Sequence, residues 1–164
     1  MTHGGGDIPF GSGYFVVCLI ATVCSRTCRT YCGGVRLFLA DDAWSELTSG
    51  AEPVVRVAAA DLGQARRARA RLRGGPERVA VILDIEVTVA AHGDVRAAYA
   101  SLDGKTAGVR YAGTVDGLAG LIADIESAEV ADGVTLVAAD SPQDLRGLGE
   151  DVLRRLAERG RISA

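Results

Sequence analysis

From Pro53 onward, short apolar runs alternate with stretches in which apolar residues recur every three or four positions. Val54 to Ala58 reads as a strand. Leu62, Ala65, Ala68 and Leu72 then form the buried stripe of a helix from Leu62 to Arg73, with Asp61 as its N-cap and Gly74-Gly75-Pro76 as its stop. Val79 to Ala90, VAVILDIEVTVA, is the strongest strand. Its period of two puts Val79, Val81 and Leu83 on one side and Ile82, Asp84, Glu86 and Thr88 on the other. Asp94 caps a helix through Val95, Ala98, Tyr99 and Leu102 to Gly104. An extended segment from Val109 leads to Gly113-Thr114, where Thr114 caps a helix with the stripe Leu118, Leu121, Ile122 and Ile125. Val134, Leu136 and Val137 mark a further strand. In the closing helix, Ser141 is the expected N-cap, Pro142 the first helical residue, Leu145, Leu148, Val152, Leu153 and Leu156 the stripe, and Gly160 a left-handed stop. The pattern is strand-helix, four times over.

Upstream of Pro53 the rhythm is weaker. Residues 1–13 are glycine-rich and expected to be flexible, without the strand or Gly-Lys-Ser/Thr context of a phosphate loop. Tyr14 to Cys24 is apolar but about half the length a spanning helix needs, so a buried strand is expected. Val35 to Leu39 reads as another strand, followed by a short helix capped by Asp41 that runs through Trp44 and Leu47 to Gly50. Trp44 is read as a packing residue. The chain thus divides into a flexible terminus (1–13), a divergent segment (14–50) and a regular α/β domain (51–164).

With 164 residues and 48% hydrophobic content, a domain with a real core is affordable. The net charge of −3 provides no global basic field, so neither nucleic acid nor membrane is an expected partner, and a cytoplasmic location is expected. Arginine supplies nearly all the positive charge, Lys105 being the single lysine. On the helix from Leu62, Arg66, Arg67, Arg71 and Arg73 face water, while Arg69 lies beside the stripe, placed to meet a carboxylate. All four cysteines fall between Cys18 and Cys32, with five, three and three intervening residues. That spacing lacks the close pair and distant partner pair of a zinc site, so no metal is expected.

Two features carry candidate chemistry. Asp84 and Glu86 share a strand face, as an acid and base pair or two ligands of a divalent cation would, and equally as carboxylates engaged in structural pairing would. His92 follows that strand at its carboxyl end, where parallel α/β enzymes gather their catalytic groups, and is the candidate for proton transfer.

Gly113-Thr114, Ala131-Asp132-Gly133-Val134-Thr135-Leu136, Leu145, Val152-Leu153, Leu156 and Arg159-Gly160 together resemble the C-terminal end of luciferase-like flavin-dependent monooxygenases. The resemblance covers about residues 54–160. It implies a parallel sheet with outer helices, a partial, half TIM-barrel-like architecture, since a whole (β/α)8 barrel takes about 250 residues. It further implies a flavin-dependent oxidoreductase or monooxygenase with FMN or a deazaflavin at the carboxyl ends of the strands. The amides of Gly113, Thr114 and Val115, with Ser141, would meet the flavin phosphate, and His92 would be catalytic beside a small-molecule substrate. The chain departs from the family in lacking its proline near Arg154, its Gln-Ala-Gly-x-Ser-x-x-Gly segment and the half that forms most of the pocket. The reading is therefore of a truncated oxidoreductase, the alternative being a non-catalytic oligomerising remnant or protein-interaction module of the same scaffold. Half a barrel leaves open edges and a bare inner face, so a homo-oligomer, a dimer by default, is expected.

Overall fold

The computed structural model describes residues 34–90, 94–100, 108–139 and 143–162. In chain order these build β1 (Arg36–Ala40), β2 (Trp44–Glu46), β3 (Val54–Val57), α1 (Leu62–Arg73), β4 (Ala80–Val89), α2 (Val95–Ala100), β5 (Val109–Gly113), α3 (Val115–Ser127), β6 (Gly133–Ala138) and α4 (Leu145–Ile162). The strand expected over Tyr14 to Cys24, the cysteine cluster, His92, Ser141 and Pro142, and the helix continuation through Leu102 to Gly104 lie outside the described residues.

One curled sheet holds all six strands, five of them parallel. On one edge of β4, Ile82 to Val87 pair with Gly133 to Ala138 of β6, and β6 in turn pairs with β1. On the opposite edge, β3 pairs with Ala80 to Leu83 and β5 takes over from Ile85 to Val89. The strand order is therefore β2-β1-β6-β4, followed by β3 and β5 sharing the last edge. A consecutive stretch of an eight-fold barrel would instead run β3-β4-β5-β6.

The alternation along each strand decides which face the helices cover. Leu37 and Leu39 of β1, Leu83, Ile85 and Val87 of β4, and Val134 and Leu136 of β6 turn to one side. There they meet Ala65 of α1, Leu118, Ile122 and Ile125 of α3 and Leu145, Leu148, Val152 and Leu156 of α4, while Val55, Val57 and Val81 form a smaller cluster with Ala68 of α1, Leu72 packing against it. Leu118 and Ile122 are wholly buried, each contributing on the order of 1.5–3 kcal/mol. α1, α3 and α4 thus form the outer layer of a two-layer α/β fold.

Caps match the sequence pattern for two helices. The Asp61 carboxylate accepts the Gln64 amide, and the Thr114 hydroxyl accepts that of Gly117. α4 differs: it begins at Leu145, with the Asp144 carboxylate accepting the Gly147 amide at 2.9 Å, and it continues past Gly160 to Ile162. Asp144 satisfies the orphan amide within the last possible turn, and the downstream residues continue the helix without a left-handed residue at Gly160.

The helix expected from Asp41 to Gly50 is not formed. Asp41-Asp42-Ala43 make a turn, with the Asp41 carboxylate accepting the Ala43 amide, and Trp44–Glu46 return antiparallel to β1. Tertiary contacts decide this. In the hairpin Trp44 stacks on Phe38 with ring centroids 4.6 Å apart, and its indole N–H reaches the Thr135 hydroxyl at 3.1 Å. Trp44 is the packing residue the sequence implied.

Candidate functional site

The sheet face away from the helices changes character along its length. Ala80 to Leu83 of β4 are buried on both sides, whereas from Asp84 onward only the helix-facing residues are buried. Over the lower half Trp44 lies across the strands, covering a cluster of Phe38, Val54, Ala80 and Ile82. Guanidinium groups flank these rings, Arg36 5.4 Å from the centroid of Phe38 and Arg56 5.9 Å from that of Trp44. Each has its own carboxylate. Arg36 makes a two-point contact with Glu46 and reaches the Glu52 carbonyl, and Arg56 Nε lies 2.7 and 3.0 Å from the two oxygens of Asp84. Asp84 is thus held in a structural pair. Glu86, half-buried one step further along, stands level with Arg110 of β5 on the same face.

β4, β5 and β6 finish together. The Ala90 amide donates to the Gly113 carbonyl at 2.9 Å, and the Gln143 side-chain amide donates to the Val89 carbonyl at 3.1 Å. The segments carrying His92 and Ser141 leave the described chain from this end. β3 ends short of it: its last residue, Val57, stands beside Leu83, while Gly113 stands beside Val89.

At the expected phosphate contact, Gly113, Thr114 and Val115 do form a turn into the amino terminus of α3. Tyr111, on the helix-facing side of β5, donates its hydroxyl to the Thr114 carbonyl at 2.8 Å, and a Cβ on Gly113 or Gly117 would run into that hydroxyl. The Thr114 side chain takes the Gly117 amide, and the Asp116 carboxylate pairs with Arg155 at 3.1 Å. Tyr111 thus covers the Cβ sides of Gly113 and Gly117, and the Thr114 hydroxyl holds the Gly117 amide. Burial pushes the Tyr111 hydroxyl above the ordinary tyrosine range, so it is a protonated donor at neutral pH. The sequence signal for Tyr111 was its place three residues before the cap, which by itself does not show where a ring will point.

The densest polar cluster lies at the opposite, amino-terminal end of the sheet. One oxygen of Asp132 receives Arg69 at 3.1 and 3.0 Å and Arg73 at 2.9 Å, and the other receives the Val81 amide at 2.9 Å. Its backbone amide donates to the Val81 carbonyl and its carbonyl accepts the Arg36 amide. Arg69 also bonds the carbonyl and carboxylate of Glu129, which is in the left-handed region at φ 54°. Desolvation would lower the Arg69 pKa, but Asp132 and Glu129 hold it above its ordinary value. The carboxylate partner expected for Arg69 is thus Asp132. Next to it, a Cβ on Gly133 would strike the Arg36 carbonyl, so the strands pass closely only because that residue is glycine. Ala131 to Leu136, one of the stretches on which the family resemblance rests, therefore consists of packing and strand-tying residues. An open depression of about 360 Å³ beside Arg36, Glu52, Arg69 and Asp132 is lined by groups already engaged with one another.

Among the described residues there is no group of three or more His, Cys, Asp or Glu side chains that could hold a metal, and no helix is long and apolar enough to cross a membrane. Comparison with family models, with curated proteins and with solved structures finds no match for this chain.

Proposed function

We propose that this domain is a non-catalytic α/β scaffold that acts by assembling with other chains, the second of the two functions its sequence allows. One observation supports it above the others: the Thr114 hydroxyl takes the Gly117 amide and the Tyr111 hydroxyl packs against Gly113 and Gly117, so the domain's own side chains crowd the turn expected to meet a cofactor phosphate. The inner face points the same way. Arg36 with Glu46, Arg56 with Asp84 and Trp44 with Thr135 are mutually paired, which is a structural arrangement of polar groups. Helices cover one side of the sheet, and the last edge is shared by two short strands, geometry suited to a partner or a second copy. The test is thermal melting of the purified chain with excess FMN or deazaflavin, alongside its absorbance and its mass by light scattering. The expected result is a colourless protein, larger than a monomer, whose midpoint does not move. A ligand that binds only the folded state must raise the midpoint, so a clear upward shift with either flavin overturns the proposal.

A second reading, a luciferase-like flavin-dependent oxidoreductase, is favoured by the common finish of β4, β5 and β6, after which His92 and Ser141 follow in sequence. Parallel α/β proteins bind ligands at that end. In this reading the sheet is a portion of a TIM-type barrel, and the position of β6 between β1 and β4 is a departure from barrel order. Retained flavin colour, lost in His92→Ala or Ser141→Ala, is the outcome this reading requires.

A further inference from the structure

The arginines of α1 divide into two sets. Arg69 and Arg73, four residues apart, turn inward to Asp132. Arg66, Arg67 and Arg71 are exposed, and none has a carboxylate partner among the described residues. Three arginines of α4 contrast with them: Arg154 pairs with Asp151, Arg155 with Asp116 and Glu158, and Arg159 reaches the Asp116 carbonyl, while Arg146 is exposed with no ion pair among the described residues. Residues 61–78 hold six arginines against two acids, a third of the chain's 18 basic residues, so the total of −3 conceals a positive helix on an otherwise acidic chain.

Folding gains little from this placement. Arg67 and Arg71 are like charges one turn apart, which weakens a helix; Arg71 sits in the last turn, where the dipole favours a cation, but Arg66 and Arg67 lie in mid-helix and gain nothing from it. Local neutralisation of the kind seen on α4 is absent from α1.

We infer that the outer face of α1 binds the phosphate backbone of nucleic acid through Arg66, Arg67 and Arg71. The residues between them decide the class of partner. Gly63, Gln64 and Ala70 complete the exposed face, so it offers no apolar or aromatic anchor of the kind a protein interface or a membrane surface uses. Guanidinium forks at one-turn spacing suit successive phosphates, and such contacts alone suffice for binding without sequence preference. The net charge of the whole chain limits the affinity; the local field of α1 supplies it. This inference is independent of the assembly proposal, since it uses a different surface.

The test is fluorescence anisotropy of labelled single-stranded and duplex DNA of about 20 nucleotides, titrated with the full chain from about 50 to 200 mM NaCl. Wild type should bind both, with a log–log salt slope of about −2 to −3, the value three phosphate contacts give. Arg66→Glu/Arg67→Glu/Arg71→Glu should weaken binding about tenfold or more at low salt, and the triple lysine variant should retain it. Arg154→Glu/Arg155→Glu on α4 should bind as wild type does. Circular dichroism melts verify that each variant folds. Absence of saturable binding at low salt overturns the inference, as does an equal loss in the α4 variant or a preference for anionic vesicles over both DNAs.

Discussion

At the amino-terminal end of the sheet a single carboxylate, Asp132, gathers two arginines from α1 and a backbone amide from β4, while its own backbone ties β4 to β1. At the carboxyl end the ties among the described residues are of another kind: a ladder bond from Ala90 to Gly113, the Gln143 side-chain amide on the Val89 carbonyl, the Tyr111 hydroxyl over the Gly113 turn, and the Asp116–Arg155 ion pair at the start of α3. The first end fixes the position of α1, β1, β4 and β6 relative to one another. Parallel α/β proteins commonly separate stability from function in this way, and here Asp132 and Gly133 lie at the end that carries stability.

The largest effect that would break this contrast is expected from Asp132→Ala. It leaves Arg69, only 14% exposed at its side chain, without its main partner, and a cost of about 3–5 kcal/mol in urea denaturation follows. Trp44→Ala removes the cover of the lower inner face and should cost about 3 kcal/mol by the same measurement. A smaller effect of opposite sign belongs to Glu129→Gly. Relief of a left-handed residue gains about 1 kcal/mol, partly offset by loss of an exposed ion pair with Arg69, so a slightly raised melting temperature is expected. The smallest concerns pH. Because the folded-state pKa of Tyr111 is raised, its contribution is complete below the ordinary tyrosine value of about 10 and is lost as pH rises through the folded value. Tyr111→Phe should therefore blunt the alkaline loss of stability seen in melts at rising pH.

These two ends were not equally readable from the sequence. α1 from Leu62 to Arg73, its Asp61 cap, the face shared by Asp84 and Glu86, and the Thr114 cap follow from local periodicity and capping chemistry, which act within a few residues. The pairing partners did not. Trp44 belongs to a strand because Phe38 and Thr135 stabilise it there, and Thr135 is 91 residues away. The place of β6 between β1 and β4, the convergence of Arg69, Arg73 and Val81 on Asp132, and the packing of Tyr111 over the Gly113 turn depend equally on contacts that no local pattern encodes. Asp144 in place of Ser141 as the cap of α4 is a closer competition, between two residues that can each accept an amide.

Native-state hydrogen exchange compares the two ends most directly. The amides of Val81 and Asp132, bonded across the Asp132 junction, should exchange only with global unfolding, while those of Ala90 and Gly117 at the carboxyl end should exchange through smaller local openings. Equal protection at the two ends, or slower exchange at Ala90 and Gly117 than at Val81, would contradict the account.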